Sequence, residues 1–268
     1  MSDGKALIAT ACQLADTARA ITLGHFRRRD LATENKAGQG FDPVTQADRE
    51  AEEAMRAILA ERRPADAVLG EELGHSPGSS GLTWVLDPID GTRAFISGAP
   101  SWGVLIAVDS GEGPVLGVID QPWTGERFLG GFGEAWTERC GRREGLATRR
   151  CATLGDAVLY TTYPHIGSPA ELAGFNKVRD RVRLTRYGLD CYAYALLAAG
   201  HVDLVIEAGL QRYDIAAPQA VIEAAGGVVS DWRGRPAHLG GRVLAAGDPA
   251  CHAQALEILS KVPEAGTD

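Results

Sequence analysis

The order of the predicted elements changes near residue 146, and this change limits the fold more than any other feature of the sequence. Before it, two helices precede a series of strands joined by short, glycine-containing turns, an order typical of an antiparallel α+β arrangement. Beyond it, strands and helices alternate up to a last helix from Pro249, an order typical of an α/β arrangement. The sequence therefore predicts two halves, residues 1–146 and 147–268, that meet near the polar stretch RREGLATRRC.

Two local signals define the helices at the start of the chain. Apolar residues at helical spacing predict a first helix over residues 5–29, whose last turn would contain the basic run Arg27–Arg29. Thr45 followed by Asp48 predicts a capping arrangement at the start of a second helix that ends near Arg62. The polar, glycine-bearing segment between the two helices predicts a loop or a hairpin.

Composition argues against several classes of partner. The chain has 27 basic and 35 acidic residues, a net charge of −8, so we expect no basic surface for nucleic acid or membranes. No stretch approaches the length of a membrane span, about 20 apolar residues, and the N-terminal segment lacks the apolar core of a signal peptide. The five cysteines form no CxxC pair, and their odd number favours reduced thiols in a cytoplasmic protein.

The segment WVLDPIDGT, residues 84–92, places two carboxylates at the end of an apolar strand. An Asp-Pro pair after a strand is commonly a turn. Here Pro88 and Ile89 fix the backbone between Asp87 and Asp90, and the following Gly-Thr pair suits a helix N-terminus, where free N–H groups bind phosphate. Crowded carboxylates that cannot all be protonated at neutral pH require cations, and oxygen ligands of this kind are typical of Mg²⁺ sites.

Further acidic residues are then expected elsewhere in the chain. Glu71 and Glu72 follow the apolar stretch AVLG, and Asp214 opens the segment DIAAPQAVIEAAGG. Taken singly, the two glutamates are ordinary surface charges and Asp214 is an ordinary helix N-cap. Their functional interpretation therefore depends on the whole set of motifs.

Four motifs resemble, in order and spacing, the signatures of the inositol monophosphatase superfamily: DPVTQAD (42–48), GEE (70–72), WVLDPIDGT (84–92) and YDIAA with EAAGG (213–227). The resemblance covers nearly the whole chain. It implies a layered αβαβα fold that combines α+β and α/β organisation, with the site where the two halves meet. It also implies a Mg²⁺-dependent, lithium-sensitive phosphatase of small phosphorylated molecules that forms a homodimer. The apolar strands GVLIAV and VLGVI could supply the dimer interface or could equally belong to the core.

The resemblance also assigns metal ligands. Glu71 and Asp87, with the backbone carbonyl of Ile89, would bind one Mg²⁺. Asp87 would bridge to a second Mg²⁺ that Asp90 and Asp214 also bind. A third, looser cation would lie near Glu71, which gives two or three ions per site. Paired cations polarise the phosphate, lower the pKa of a bound water and stabilise the leaving alkoxide.

The same resemblance assigns the groups that act on water and phosphate. The Thr92 hydroxyl, with Asp48 behind it, and Glu71 would orient and deprotonate the attacking water. The N–H groups of Gly91 and Thr92 would bind phosphoryl oxygens. Lys36 would either add positive potential near the site or be an ordinary exposed lysine. Serine hydrolase chemistry is not supported, since the sequence has no GxSxG motif.

The residues after the metal motif favour one branch of the superfamily. Arg93 and the continuation SGAPSWG resemble the histidinol-phosphate phosphatases. So does the stretch RLTRYGLDCYAYALLAAGHVDLVIEAGLQRYD, which adds Arg186, Asp190 and Glu207 to the expected substrate-binding residues. Histidinol phosphate bears an ammonium and an imidazole, which benefit from carboxylates such as Asp190 and Glu207, whereas a neutral polyol needs no such charge. Alternatively, Asp190 caps the helix CYAYALLAAG.

We therefore expect hydrolysis of histidinol phosphate to histidinol and phosphate, a step of histidine biosynthesis. The alternative within the same class is an inositol-1-phosphate or broad-specificity sugar-phosphate phosphatase. The alternative outside it is a non-catalytic, metal-binding regulatory protein. The complete set of ligands argues against this last alternative, since a site without function would be free to lose one.

Overall fold

The structure, a computed structural model, describes residues 2–29, 33–35 and 43–264. A short hairpin near the start of the chain pairs β1 (Thr33–Asn35) with β2 (Pro43–Thr45), in agreement with the predicted loop or hairpin. The helices are α1 (Ser2–His25), α2 (Gln46–Arg62), α3 (Thr92–Ser97), α4 (Pro169–Arg179), α5 (Tyr192–Ala198), α6 (Arg212–Ala224) and α7 (Pro249–Leu259). A 3-10 turn lies at Leu154–Asp156. None of the helices in the described ranges combines the length and the apolar character that crossing a membrane requires.

Helix α1 ends earlier than the sequence predicts. It stops at His25, so the prediction that the basic run Arg27–Arg29 forms its last turn is wrong. Arg27 has a left-handed backbone, with φ of 61°, and its guanidinium donates two hydrogen bonds to the carbonyl of Gly98 at 3.0 and 2.9 Å. The same group lies over the ring of Trp123, 4.3 Å from its centroid. These contacts with distant segments turn the chain away from the helix axis.

Helix α2 begins as predicted. The side chain of Thr45 accepts the N–H of Ala47, and Asp48 at the third helical position accepts the N–H of Thr45 at 2.9 Å, which together form a capping box. The helix ends at Arg62. Buried residues such as Ala51 and Met55 on one face place α2 against the protein core.

The larger sheet consists of eight strands that all precede residue 146. They are β3 (Ala67–Gly70), β4 (Gly74–Ser76), β5 (Thr83–Asp90), β6 (Gly103–Asp109), β7 (Pro114–Gln121), β8 (Glu126–Gly131), β9 (Glu134–Arg139) and β10 (Arg142–Gly145). Their order is β10-β9-β8-β7-β6-β5-β3-β4, and only the pair β3–β5 is parallel. This is the antiparallel arrangement that the sequence predicts for the first half.

The smaller sheet consists of five strands from the second half of the chain. They are β11 (Val158–Thr161), β12 (Leu184–Tyr187), β13 (Leu204–Leu210), β14 (Val228–Ser230) and β15 (Gly241–Ala246). In the order β12-β11-β13-β15-β14, the first three strands run parallel and β15 runs antiparallel to both of its neighbours. The parallel strands follow from the helices between them, as the alternating pattern predicts.

The two sheets and the helices form the layers α, β, α, β, α. Helices α1 and α2 cover the outer face of the larger sheet, α5 and α6 lie between the sheets, and α4 and α7 cover the smaller sheet. The predicted αβαβα fold is therefore confirmed. Helix α6 follows residue 146 but packs on the larger sheet, whose strands all come from the first half of the chain. The division into 1–146 and 147–268 therefore stays a prediction.

Candidate active site between the two sheets

Strand β5 ends in a β-bulge that places two carboxylates at its end. Asp87 pairs with Leu105 of β6 and Asp90 pairs with Gly103, so two residues of β5 lie opposite one residue of β6. An extra residue of this kind bends a strand and redirects its side chains. The Oδ1 atom of Asp87 accepts the N–H of Ile89 at 3.0 Å, which supports the bend.

Asp214 completes a group of three carboxylates. It is the third residue of α6, and its Oδ2 atom accepts the N–H of Gln211 at 2.6 Å in a capping box. One carboxylate oxygen each of Asp87, Asp90 and Asp214 lies within 4.8 Å of the others. Asp214 therefore both caps its helix and belongs to the carboxylate group.

Burial and mutual repulsion make this carboxylate group costly to ionise. Asp87 is 1% exposed. Burial, followed by the charges of Glu71, Asp90 and Asp214, raises the pKa of Asp87 well above its ordinary value. Burial and then the charge of Asp214 do the same to the pKa of Asp90. The Asp87 carboxyl is also hydrogen-bonded to Glu71, which places Glu71 beside the group.

The chemistry of these donors fits hard divalent cations. The group offers only carboxylate oxygens, the ligands that Mg²⁺ and Ca²⁺ prefer. Because their pKa values are raised, Asp87 and Asp90 keep their protons when no cation is bound. A doubly charged cation would replace these protons and would remove the repulsion between the carboxylates. The residues available to such cations are Asp87, Asp90, Asp214 and, beside them, Glu71.

The side chains expected to act on the attacking water make other contacts in this structure. The Thr92 hydroxyl donates to the carbonyl of Ile89 at 3.1 Å. The Oδ2 atom of Asp48 accepts the hydroxyl of Thr45 at 2.6 Å, and within the described ranges its buried Oδ1 atom has no hydrogen-bond partner. Burial raises the pKa of Asp48 to about 7, although the bonds from Thr45 lower it. A direct hydrogen bond from the Thr92 hydroxyl to Asp48 therefore stays a prediction. Its acceptor would be the Oδ1 atom of Asp48.

Gly91 permits the turn from strand β5 into helix α3. Its φ of 83° and ψ of 42° are left-handed, a conformation that glycine adopts without steric cost. Gly91 and Thr92 both border a cavity beside the carboxylate group. Because α3 has only six residues, their contribution to anion binding would come from individual N–H groups.

A cavity of about 230 Å³ lies beside the carboxylate group, and both halves of the chain line it. Its lining includes four acidic side chains, Asp90, Asp190, Glu207 and Asp214, and one basic side chain, Arg93. When these carboxyls are ionised, the cavity has an excess of negative charge, which repels a phosphate group. Phosphate binding in this cavity therefore requires cations.

Glu207 is buried at the cavity and fixed by two donors. Its side chain is on β13, where Oε1 accepts the N–H of Thr162 at 2.6 Å and Oε2 accepts the hydroxyl of Thr161 at 3.1 Å. Burial raises its pKa to about 7; the two threonines lower it, and the charge of Asp190 raises it. Glu207 therefore gains or loses its charge near neutral pH.

The structure corrects one interpretation of Asp190. Helix α5 begins at Tyr192, its N-cap is Cys191, and none of the described side chains caps it. Asp190 has a left-handed backbone with φ of 47°, whereas a capping residue is usually extended, so the N-cap interpretation is wrong. Instead, the Oδ2 atom of Asp190 accepts the hydroxyl of Ser101 at 2.6 Å, and the residue lines the cavity.

The predicted basic residues are divided between the site and other regions. Arg93 lines the cavity. Arg186 lies exposed on β12 and is not one of the described residues around the cavity, so the structure does not bring it to the site. Lys36 and Asp42 lie outside the described residues.

Tyr194 is a residue of the site that sequence reasoning missed. It lies on α5, is 4% exposed and lines the cavity. Burial and then the charge of Glu207 raise its pKa well above the usual value, so the hydroxyl keeps its proton. Among the described residues this hydroxyl has no hydrogen-bond partner, which makes it a donor available to a ligand. In the sequence, its helical spacing indicates only a core position.

Comparisons with known proteins agree on one family. The sequence profile of the inositol monophosphatase family matches residues 3–264. The chain is 44% identical over 258 residues to the chloroplastic bifunctional phosphatase IMPL2 of Arabidopsis thaliana, covering 92% of this chain and 72% of that protein. It is 34% identical over 242 residues to a histidinol-phosphatase of Chlorobaculum parvum, covering 90% and 91%. A solved structure of an inositol monophosphatase from Zymomonas mobilis has a TM-score of 0.83 at 44% identity, covering 94% of this chain and 97% of that one.

Proposed function

The chain belongs to the inositol monophosphatase family, and we propose that it is a Mg²⁺-dependent phosphatase whose substrate is histidinol phosphate. Phosphomonoester hydrolysis and metal dependence are the common properties of the family, and the carboxylate group suits a divalent cation. The observation that carries the choice of substrate is the presence of two further carboxyls, Asp190 and Glu207, in the same cavity.

Each side chain of the carboxylate group has a role in this proposal. Asp87, Asp90, Asp214 and Glu71 bind the cations. When bound, these cations supply the positive charge that polarises the phosphoryl group, acidifies the attacking water and stabilises the leaving alkoxide. The Ile89 carbonyl accepts a hydrogen bond from the Thr92 hydroxyl. This bond connects the metal motif to the residues that act on water.

Proton transfer is assigned to residues from both sides of the motif. The Thr92 hydroxyl orients the attacking water, and Glu71 accepts its proton. Asp48, whose pKa burial raises to about 7, can take up or release a proton at the pH of the reaction. The N–H groups of Gly91 and Thr92 donate to the phosphoryl oxygens, and the guanidinium of Arg93 adds positive charge at the cavity wall.

Two carboxyls recognise the charge of the alcohol. Histidinol phosphate carries an ammonium and an imidazole next to its phosphate. Ser101 occupies the Oδ2 atom of Asp190, so Oδ1 is the oxygen available to a substrate cation. Glu207 supplies a second carboxyl, and a charge-assisted hydrogen bond to either one contributes roughly 1.5 to 3 kcal/mol. A neutral polyol can donate hydroxyl hydrogen bonds to these carboxyls, but it gains no attraction between opposite charges.

Asp190→Asn tests the substrate assignment. The change keeps the size of the side chain and deletes its charge. The kcat/KM for histidinol phosphate should fall about ten- to a hundredfold, whereas values for glycerol phosphate and inositol 1-phosphate should stay within about twofold. An equal loss for all three esters, or no loss for any, would contradict a role of Asp190 in recognising charge.

Inositol 1-phosphate is the second candidate substrate. It is favoured by the solved inositol monophosphatase from Zymomonas mobilis, which at 44% identity is as similar to this chain as IMPL2 is. Its neutral ring would leave Asp190 and Glu207 without a charged partner in the cavity. Initial rates on histidinol phosphate, inositol 1-phosphate and glycerol phosphate distinguish the two candidates.

We further propose a cytoplasmic homodimer, as the family resemblance implies. Strands β6 and β7 do not supply its interface: residues 104–108 of β6 are at most 1% exposed within the single chain, and β7 is buried from Leu116 onward. The five free cysteines suit a reducing compartment. Light scattering should give twice the chain mass of 28.3 kDa, and a mass equal to one chain would contradict the dimer.

A further inference from the structure

The dipeptide Asp190–Cys191 packs into a recess formed by the first half of the chain. The Ser101 hydroxyl donates to Asp190 Oδ2 at 2.6 Å. A Cβ atom on Gly91 would lie 2.6 Å from the Asp190 carboxyl carbon, and one on Gly103 would lie 2.6 Å from the Cys191 sulfur. Both glycines are therefore needed for this close approach.

The backbone that carries Asp190 is in an unusual conformation. Gly188, Leu189 and Asp190 have consecutive positive φ angles of 92°, 78° and 47°. The left-handed region is unfavourable for leucine and tolerated by aspartate. Such backbone strain persists only where surrounding contacts enforce it. Ser101 and the two glycines of the recess provide these contacts from a segment about 90 residues earlier in the chain.

The recess also connects the Asp190 turn to the metal-binding group. The N–H of Cys191 donates to Asp90 Oδ2 at 2.6 Å. Asp190 is thus anchored through its side chain to Ser101 and through the next backbone amide to Asp90. Its carboxyl therefore has a fixed position relative to the place where the phosphate would bind.

We propose that Ser101 is a positioning residue that sets the preference for phosphate esters whose alcohol carries a positive charge. This inference rests on the proposed function, because it assumes that Asp190 recognises that charge. Ser101 acts through Asp190: it is half-buried and is not one of the described residues that line the cavity. Its hydroxyl keeps Oδ2 occupied and directs the remaining oxygen, Oδ1, to the substrate.

Ser101→Ala, measured on two substrates, tests the inference. The kcat/KM for histidinol phosphate should fall about tenfold, mainly through KM, whereas that for glycerol phosphate should change by less than about twofold. Ser101→Thr retains the hydroxyl and should restore most of the preference. Ser97→Ala is the matched control, because Ser97 lies in the same segment and its hydroxyl donates to the carbonyl of Ala94 within its own helix; it should behave as wild type.

A double-mutant cycle shows whether Ser101 acts through Asp190. In the Asp190→Asn background, Ser101→Ala should have no further effect on the ratio of the two kcat/KM values. Three results would each overturn the inference. The first is an equal loss for both esters, and the second is a preference that Ser101→Thr does not restore. The third is an undiminished effect of Ser101→Ala in the Asp190→Asn background. A melting temperature measured for each variant separates loss of fold from loss of preference.

Failure of the proposed function would look different. In that case wild type itself would hydrolyse histidinol phosphate no better than glycerol phosphate, so both the function and the inference would fall. If wild type has the preference and Ser101→Ala leaves it intact, only the role of Ser101 is wrong.

Discussion

Asp87→Asn should weaken the binding of both cations and abolish activity while leaving the fold intact. Asp87 is 1% exposed and shares its site with Asp90 and Asp214. Asparagine keeps the oxygen that accepts the N–H of Ile89, so the bulge at the end of β5 stays supported. The change removes the charge proposed to bind both cations, so turnover at saturating Mg²⁺ should fall at least about a hundredfold.

Thermal unfolding provides a second readout that does not depend on turnover. A cation at a hundred times its dissociation constant stabilises the folded chain by about 2.7 kcal/mol. For a chain of this size, that free energy corresponds to a rise of roughly 5 to 10 °C in Tm. Asp87→Asn should lose most of this rise.

The pH dependence of that rise follows from the carboxyl groups. Folding raises the pKa of Asp87 and Asp90, so the folded chain keeps protons that the unfolded chain releases above about pH 4. Without cations, the contribution of these two carboxyls to stability is therefore fully present below that pH and is lost as the pH rises through their folded-state pKa values. The Mg²⁺-induced rise in Tm should accordingly be larger at pH 8 than at pH 6.

The assay compares three proteins in MgCl₂ and in chelator at both pH values. Asp180→Asn is the matched control, because the Asp180 side chain is 65% exposed at the end of α4 and, within the described part of the chain, forms an ion pair only with the adjacent Arg179. Wild type and the control should show the full rise in Tm and full turnover. Near-normal turnover of Asp87→Asn at saturating Mg²⁺, or an undiminished rise in its Tm, would refute the metal assignment.

Three further substitutions test individual side chains. Thr92→Ala should lower kcat with little change in the Mg²⁺ requirement, because its hydroxyl is assigned to the water; a changed Mg²⁺ requirement at an unchanged maximal rate would give Thr92 another role. Tyr194→Phe removes a buried hydroxyl without a partner among the described residues. Its Tm should therefore stay equal or rise while kcat/KM for histidinol phosphate falls about three- to tenfold, and unchanged kinetics would show that the hydroxyl does not contact substrate. Burial raises the pKa of Glu207 to about 7, so its carboxyl is charged above that pH. Because this charge is proposed to attract histidinol phosphate, the preference of wild type for that ester over glycerol phosphate should weaken as the pH falls through 7. Glu207→Gln should flatten this dependence, and identical profiles for the two proteins would contradict it.

Elements that bury one face could be predicted from the sequence. The apolar stretch at 83–87 lies inside β5 and that at 113–120 almost wholly inside β7, and the predicted last helix starts at Pro249. The Thr45 capping box was also predicted, because its partners are three residues apart. Such signals are local, so the sequence alone is sufficient to detect them.

Elements that depend on distant contacts could not be predicted. The end of α1 is determined by Arg27, whose guanidinium reaches Gly98 and the ring of Trp123. Strand β10, Arg142–Gly145, is wholly exposed and polar, so its sequence indicated only a boundary. It forms by pairing with β9 at the edge of the larger sheet. Neither feature leaves a periodic pattern in its own segment.

The same distinction applies to the site. The motifs were sufficient to predict that Asp87, Asp90 and Asp214 lie together, because their order and spacing match a family. Asp190 was ambiguous, since its partner Ser101 is 89 residues away. Tyr194 was missed because a cavity-lining tyrosine and a core tyrosine have the same helical spacing.

The most direct test of the proposed function is steady-state hydrolysis of histidinol phosphate beside inositol 1-phosphate, with and without Mg²⁺. We expect Mg²⁺-dependent phosphate release from both esters, with kcat/KM at least about tenfold higher for histidinol phosphate because Asp190 and Glu207 line the cavity. Release that does not depend on Mg²⁺, or no release at all, would contradict the metal-dependent phosphatase. An equal or higher kcat/KM for inositol 1-phosphate would contradict histidinol phosphate as the substrate.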